Sequence, residues 1–146
     1  NKLINIVTIS SGEKEIDVVA LWDTGATNSC ISSDTVKALS LIGTGMVQLH
    51  TPSGYDFRNT YLVDIILPNN VSIIDVMVND SDIGRSGIGL LIGMDVISLG
   101  DFSVSNYSGT TKFSFRIPSS KHADFVKELR LRDAIGPKHG KGKRKK

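Results

Sequence analysis

The tetrapeptide Asp23-Thr24-Gly25-Ala26 is the strongest chemical signal in the chain. It comes directly after a five-residue apolar run, Val18-Val19-Ala20-Leu21-Trp22. A carboxylate is therefore delivered at the end of a buried-type strand, where an ionised, unpartnered group is costly. Thr24 adds a hydroxyl, and Gly25 permits close approach of a second chain segment or a ligand. Two readings stand side by side. Asp23 forms an Asx-turn by bonding the amides after it, or it is a reactive carboxylate. Short runs of this kind recur by chance, so the tetrapeptide alone does not choose.

A second element does. Leu90-Leu91-Ile92-Gly93-Met94-Asp95 is another apolar strand that ends in glycine and enters a helix, with Gly93 70 residues after Asp23. The pair resembles the retropepsins, the retroviral aspartic proteases and their cellular and bacterial relatives. The resemblance covers roughly residues 3–117, and Ile92-Gly93-Met94-Asp95-Val96 looks closer to cellular and bacterial members than to viral ones. It implies a mostly β fold, a single-lobe closed barrel with short helices, and two strands threaded in a ψ shape beneath the catalytic Asp. It implies that Asp23 is the catalytic carboxylate and that Thr24 bonds across a two-fold axis. Gly25 would accept the substrate backbone, Ala26 would line the pocket, and Gly93 would pack under the active-site loop. The hairpin Val47–Phe57 would be a flap with Thr51-Pro52-Ser53-Gly54 at its tip. Thr27, Asn28, His50 and Tyr55 would lie along the substrate.

An aspartic protease needs two carboxylates sharing a proton around a water, and this chain has one Asp-Thr-Gly. At 146 residues it is too short for two lobes. The resemblance therefore implies a homodimer acting on a protein or peptide substrate. Two carboxylates about 3 Å apart repel by roughly 5 kcal/mol at an effective dielectric of 20. That is about four pKa units, enough to keep one protonated over a wide range; the shared proton itself is carried over with the resemblance. The chain departs from the viral pattern at Thr27 and Asn28, where viral members often place acids, and at Met94, where they often place Arg. The acid–Arg pair that braces viral dimers is missing. This supports an alternative reading, a catalytically silent module that binds peptides or partners.

The elements that must position these residues read as short strands. Leu3–Ile9 and Ile16–Trp22 flank Ser10-Ser11-Gly12 as a hairpin. Asn28–Ile31 resumes extended structure, and Ser33 is placed to cap a helix through Leu39, with Asp34 in its first turn. Met46–His50 and Tyr55–Phe57 flank a Pro-Ser-Gly turn. Tyr61–Leu67 ends at Pro68. Val71–Val78 alternates with Ile74, Val76 and Val78 on one face. Ile88–Ile92 leads into a short helix within Gly93–Leu99. Phe102–Asn106 and Lys112–Ile117 flank Tyr107–Thr110 as a further hairpin. Lys121–Ala134 has helical spacing at Phe125, Val126 and Leu129, with Ser119 or Ser120 as cap and Gly136-Pro137 as stop. The expected organisation is a barrel over 1–118, a helix over 119–136 packed on or flanking it, and a disordered basic tail over 137–146.

Composition bounds the rest. Forty per cent hydrophobic and 22% charged residues is a globular balance. The net charge of +2 hides a split, since residues 138–146 hold six of the 17 basic residues and leave residues 1–137 at −4. The default reading of that tail is a solvated extension. The sharper one is weak, non-specific, salt-sensitive contact with nucleic acid or an anionic surface, without base stacking because it lacks aromatics. No apolar run reaches transmembrane length. One cysteine, Cys30, excludes an internal disulfide and suits a reducing, cytoplasmic setting. The sequence begins at Asn1 rather than Met, which leaves room for a preceding segment. One Cys and three scattered His give no zinc spacing, and no Gly-rich phosphate loop is present, so no metal or cofactor is expected. Trp22 reads as packing. Tyr55 and Phe57 read either as substrate contacts or as sheet packing. Cys30 reads as a small buried hydrophobe, His50 as a surface group near the tip, and Asp95 as a first-turn acid on the helix dipole.

Overall fold

A computed structural model describes residues 2–51 and 54–135. The β-branched N-terminus forms β1 (Ile4–Ser11), which pairs antiparallel with β2 (Lys14–Trp22) from Ile4↔Leu21 to Ser11↔Lys14. Two residues, Gly12 and Glu13, join them. Gly12 takes φ +62°, as a tight hairpin turn requires at that place. After the Asp23 loop come β3 (Cys30–Ser32) and helix α1 (Ser33–Leu39). The hairpin β4 (Gly45–Thr51) and β5 (Gly54–Ile66) is next, then β6 (Ser72–Ser81), β7 (Leu90–Ile92) and the single-turn helix α2 (Met94–Ile97).

Among the described residues, six strands close a ring in the order β1-β2-β7-β3-β6-β5, with β5 returning to β1 through Thr8↔Ile66 and Ser10↔Asp64. β4 extends beyond the ring on β5. β2–β7 and β3–β6 are parallel pairs and the other ring contacts are antiparallel. The inward positions are filled by Val7, Ile9, Ala20, Trp22, Ile31, Val63, Ile65, Val78, Leu90 and Ile92. Period-2 alternation on short strands, closed so that no long edge is left, is how a small barrel hides its backbone groups.

Up to α2, three sequence expectations change. The expected strands Tyr55–Phe57 and Tyr61–Leu67 are one 13-residue strand, β5, long enough to serve both the projecting hairpin and the barrel. On β6 the alternation breaks. Ile73 is buried and Ile74 is 70% exposed. The register runs from Val63↔Val76 to Ile65↔Ile73, so β6 carries one extra residue. Asp75 absorbs it at φ +55°, and its amide donates to Asp64 Oδ1 at 2.9 Å. A bulge of this kind flips every side chain beyond it. The cap of α1 is Ser32, not Ser33: Ser32 Oγ accepts the Thr35 amide at 3.2 Å, with Asp34 in the first turn as expected.

Beyond α2, β8 (Asp101–Ser105) and β9 (Lys112–Arg116) form a separate two-stranded sheet. Its aromatic face lies on Trp22, with Phe102 stacked at 5.5 Å and Phe115 tilted at 4.9 Å between centroids. Trp22 Nε1 donates to Asn5 Oδ1 at 2.8 Å, so the buried indole has its partner. The expected terminal helix is α3 (Phe125–Ile135), four residues later in its start than the spacing indicated. Asp124 Oδ1 accepts the Lys127 amide and caps it. The serines expected as caps turn instead to Asp101, which accepts from Ser119 Oγ and from the Ser120 amide at 3.0 Å. Phe125, Val126, Leu129 and Leu131 remain exposed. The basic tail lies outside the described residues.

Candidate active site

Asp23 sits where β2 ends. Its amide donates to Ile92 O at 3.0 Å, so the β2–β7 ladder runs one residue past Trp22. Asp23 Oδ1 accepts the Gly25 amide at 2.8 Å, and Asp23 O accepts the Ala26 amide at 3.2 Å. The Asx-turn is thus real, and it fixes one carboxylate oxygen. No hydrogen bond among the described residues reaches Oδ2. Asp23 is half-buried, while Thr24 and Gly25 are exposed.

The rest of the loop is fastened to the start of α2. Ala26 O accepts the Met94 amide at 2.8 Å and Thr27 O accepts the Asp95 amide at 3.1 Å. These bonds use two of the first amides of α2, which would otherwise be unpaired. Gly93 makes the approach possible. A Cβ there would stand 2.7 Å from Asn28 C and 2.8 Å from Asn28 O. Ser29 closes the loop. Its Oγ accepts the Gly93 amide at 3.0 Å and donates to Asp95 Oδ1 at 2.7 Å, and its amide donates to Asp95 Oδ2 at 2.9 Å. Gly93 therefore packs directly against the backbone of the Asp23 loop.

The register also builds a wall beside Asp23. Ile4↔Leu21, Leu21↔Leu91 and Leu91↔Cys30 are neighbours across four strands, and Ile6↔Val19 extends the row. These positions face outward, since their sequence neighbours Ala20, Ile31 and Leu90 face the core. Ile4 is 47% and Ile6 53% exposed; Leu21, Leu91 and Cys30 are half-buried. Asp23 is two residues past Leu21 and continues its side of the strand. The Cys30 thiol is pushed up first by burial, opposed by a hydrogen bond to Ser81, and further up by the negative charges of Asp95 and Asp23. A thiol so held is a poor nucleophile, which agrees with its reading as a packing residue.

The β4–β5 hairpin projects from the barrel with Met46, Tyr55 and Phe57 exposed, and its ladder runs to Thr51↔Gly54. Of the expected tip, Pro52 and Ser53 lie outside the described residues, as do the side chains of His50 and Thr51. Tyr55 and Gly54 are exposed on the described part of the hairpin. Thr27 and Asn28 are exposed on the loop, and Asn28 borders a cleft of about 300 Å3 that reaches Val47 on the hairpin, Ile73 and Met77 on β6, and Asp95 and Leu99. That cleft adjoins the Asp23 loop but does not include Asp23.

No protein-family model matches the chain, and no curated protein matches it. Solved structures do. EIAV protease in complex with the inhibitor HBY-793 aligns at a TM-score of 0.50 and 19% identity, over 67% of this chain and 86% of that one. The simian foamy virus (mac) protease aligns at 0.48 and 16%, over 67% and 92%. The chain has the retropepsin-like fold. The likeness is one of backbone architecture, and in this chain the Asp23 loop and Gly93 follow the ends of two strands, β2 and β7, that run parallel side by side.

Sequence reasoning placed Asp23, Gly25 and Gly93 together and missed Ser29. It read Asp95 as a helix-dipole acid and missed the Asp95–Ser29 contact. The two are 66 residues apart and meet only because β3 and α2 converge. It also missed the apolar wall, since Leu21 and Leu91 look like core until their register is known.

Proposed function

We propose that the chain is an aspartic endopeptidase that works as a homodimer on protein or peptide substrates with apolar side chains flanking the cleaved bond. The observation that carries this reading is Asp23, held by the Gly25 amide at 2.8 Å with its other oxygen open and an apolar wall on the same side. The retropepsin-like fold gives that arrangement its context. In the dimer, Asp23 and Asp23 of the partner subunit face one another around a water and share one proton. The ionised carboxylate takes a proton from the water as it attacks the scissile carbonyl, and the protonated one polarises that carbonyl. The tetrahedral adduct then loses the amine, which leaves with a proton from the dyad, and a carboxylic acid remains. The β4–β5 hairpin serves as the flap, with Thr51, Pro52, Ser53 and Gly54 at its tip, and Thr27, Asn28, His50 and Tyr55 along the peptide. Thr24 bonds across the axis and Ala26 lines the pocket.

The test is cleavage of a peptide library rich in apolar residues by wild type and Asp23→Asn. The amide keeps an oxygen for the Gly25 N–H, so the variant folds with an unchanged circular-dichroism spectrum while turnover falls to background. Equal cleavage by Asp23→Asn sinks the proposal. A second reading is favoured by the exposed Met94, Thr27 and Asn28, which hold no acid–Arg pair. In it the same wall binds a peptide without turnover. Retention of uncleaved peptide by wild type, with no products at any pH, selects that reading.

A further inference from the structure

The bonds around Asp95 have a consequence beyond holding α2 to β3. The Asp95 carboxylate accepts from Ser29 Oγ at 2.7 Å, from the Ser29 amide at 2.9 Å and from the Val96 amide at 2.9 Å. Ser29 is 0% exposed, and its hydroxyl both accepts from Gly93 and donates to Asp95. Buried in this way, the hydroxyl both donates and accepts, and its bond to a charged acceptor is of the stronger kind. The Asp23 loop is thus fastened at four points to one short segment: Asp23 by Ile92, Ala26 by Met94, Thr27 by the Asp95 amide, and Ser29 by the Asp95 side chain. Three of these are backbone bonds, made possible by the close approach that Gly93 allows. The fourth depends on side chains, and it lies at the loop's far end, where β3 begins.

We propose that Asp95 and Ser29 are positioning residues that set the geometry of the Asp23 loop inside each chain, before a second copy arrives. Met94 stands next to Asp95, so the acid is on the helix side of the contact and the hydroxyl on the loop side. Both partners belong to one chain. The loop is therefore shaped without help from a partner subunit, and loss of the contact acts on turnover rather than on assembly. Small displacements of a reacting group are enough for a large effect, since about 1 Å can cost about 100-fold in rate.

The kinetic half of this inference rests on the proposed peptidase reading; the structural half does not. Asp95→Ala, Asp95→Asn and Ser29→Ala are compared with wild type in two measurements. The first is amide hydrogen exchange. Asp95→Ala raises exchange at Asp23, Ala26 and Ser29 at least tenfold, while Val7, Val18 and Val63 in the barrel stay as in wild type. Unchanged loop exchange overturns the inference, and so does equal acceleration throughout the barrel, which marks general destabilisation. The second measurement is peptide cleavage with sedimentation. Asp95→Ala lowers kcat 10- to 100-fold with KM within threefold and the dimer constant unchanged, Ser29→Ala behaves likewise, and Asp95→Asn, which keeps an acceptor oxygen, recovers most of the loss. A kcat equal to wild type in Asp95→Ala, or a loss that tracks dimer dissociation, overturns it. A wild-type protein with no peptidase activity sinks the proposed function, and exchange alone then decides the brace.

Discussion

Gly93 shows how little room the Asp23 loop has. Its missing side chain lets Asn28 and Ala26 pass within about one atom's width of the backbone, since a Cβ would stand 2.7 Å from Asn28 C and 3.0 Å from Ala26 O. The obstacle is backbone, so it cannot rotate away. Gly93→Ala therefore costs about 1–3 kcal/mol, as overpacking does, and shifts the loop that carries Asp23. Urea unfolding is expected to show a lower midpoint with an unchanged slope, and a midpoint equal to wild type would show that the loop can yield. Ser29 and Asp95 act at the same scale. Neither residue type nor local spacing distinguishes Ser29 from its neighbours Asn28 and Cys30, and its role comes wholly from what β3 brings it against. Asp23, Gly25 and Gly93 were legible because their meaning is local: a carboxylate after an apolar run, and a glycine where a strand becomes a helix.

Elements were readable where one periodicity governed them and misread where two constraints met. For α1, both Ser32 and Ser33 suit the cap position by type. Ser32 wins because its extended backbone, at φ −75° and ψ 149°, still belongs to β3, so the helix starts one residue later. Ser32→Ala is expected to cost about 1 kcal/mol in denaturant unfolding and Ser33→Ala less than about 0.5; the reverse order would make Ser33 the cap. On β6, the bulge at Asp75 broke an alternation that looked regular in one dimension, because a closed barrel needs extra local twist at some strand. Asp101 organises the other end of the chain. Ser119 Oγ, the Ser120 amide and Arg116 hold its carboxyl well below the ordinary carboxylate value of 3.8, in that order of effect, with the Lys121 amide adding a smaller share and desolvation working against them. A depressed folded-state pKa contributes stability that is present above the unfolded pKa and lost only as pH falls through the folded one. The Ser120 amide shift is accordingly expected to stay flat from pH 7 to pH 4. A titration step near the ordinary value would show that the Asp101 contacts do not persist.

For the whole molecule, a single carboxylate at the site and a one-lobe barrel make association the deciding property. Peptidase activity is expected to fall more steeply than protein concentration on dilution, in step with a monomer–dimer equilibrium measured by sedimentation. Activity per chain that stays constant while the protein sediments as a monomer would exclude the two-chain site. The β8–β9 sheet bears on this through Trp22. It packs Phe102, Phe113 and Phe115 against the residue just before Asp23, so the part of the chain beyond the ring buttresses the site from below. No helix among the described residues is long and apolar enough to cross a membrane.

The sequence by itself determined the features that depend on near neighbours along the chain. These are the strands, the carboxylate that ends β2 and the glycine that starts α2. Period and residue type within a few positions are enough for each. The tertiary structure alone decided the rest. It turned Ile4, Ile6, Val19, Leu21 and Leu91 outward as a wall, because the side that an alternating strand buries is set by its neighbours' register. It moved a side chain of β6 to the other face through one bulge. It made partners of Ser29 and Asp95, because a hydrogen bond needs about 3 Å in space and is indifferent to 66 residues of separation.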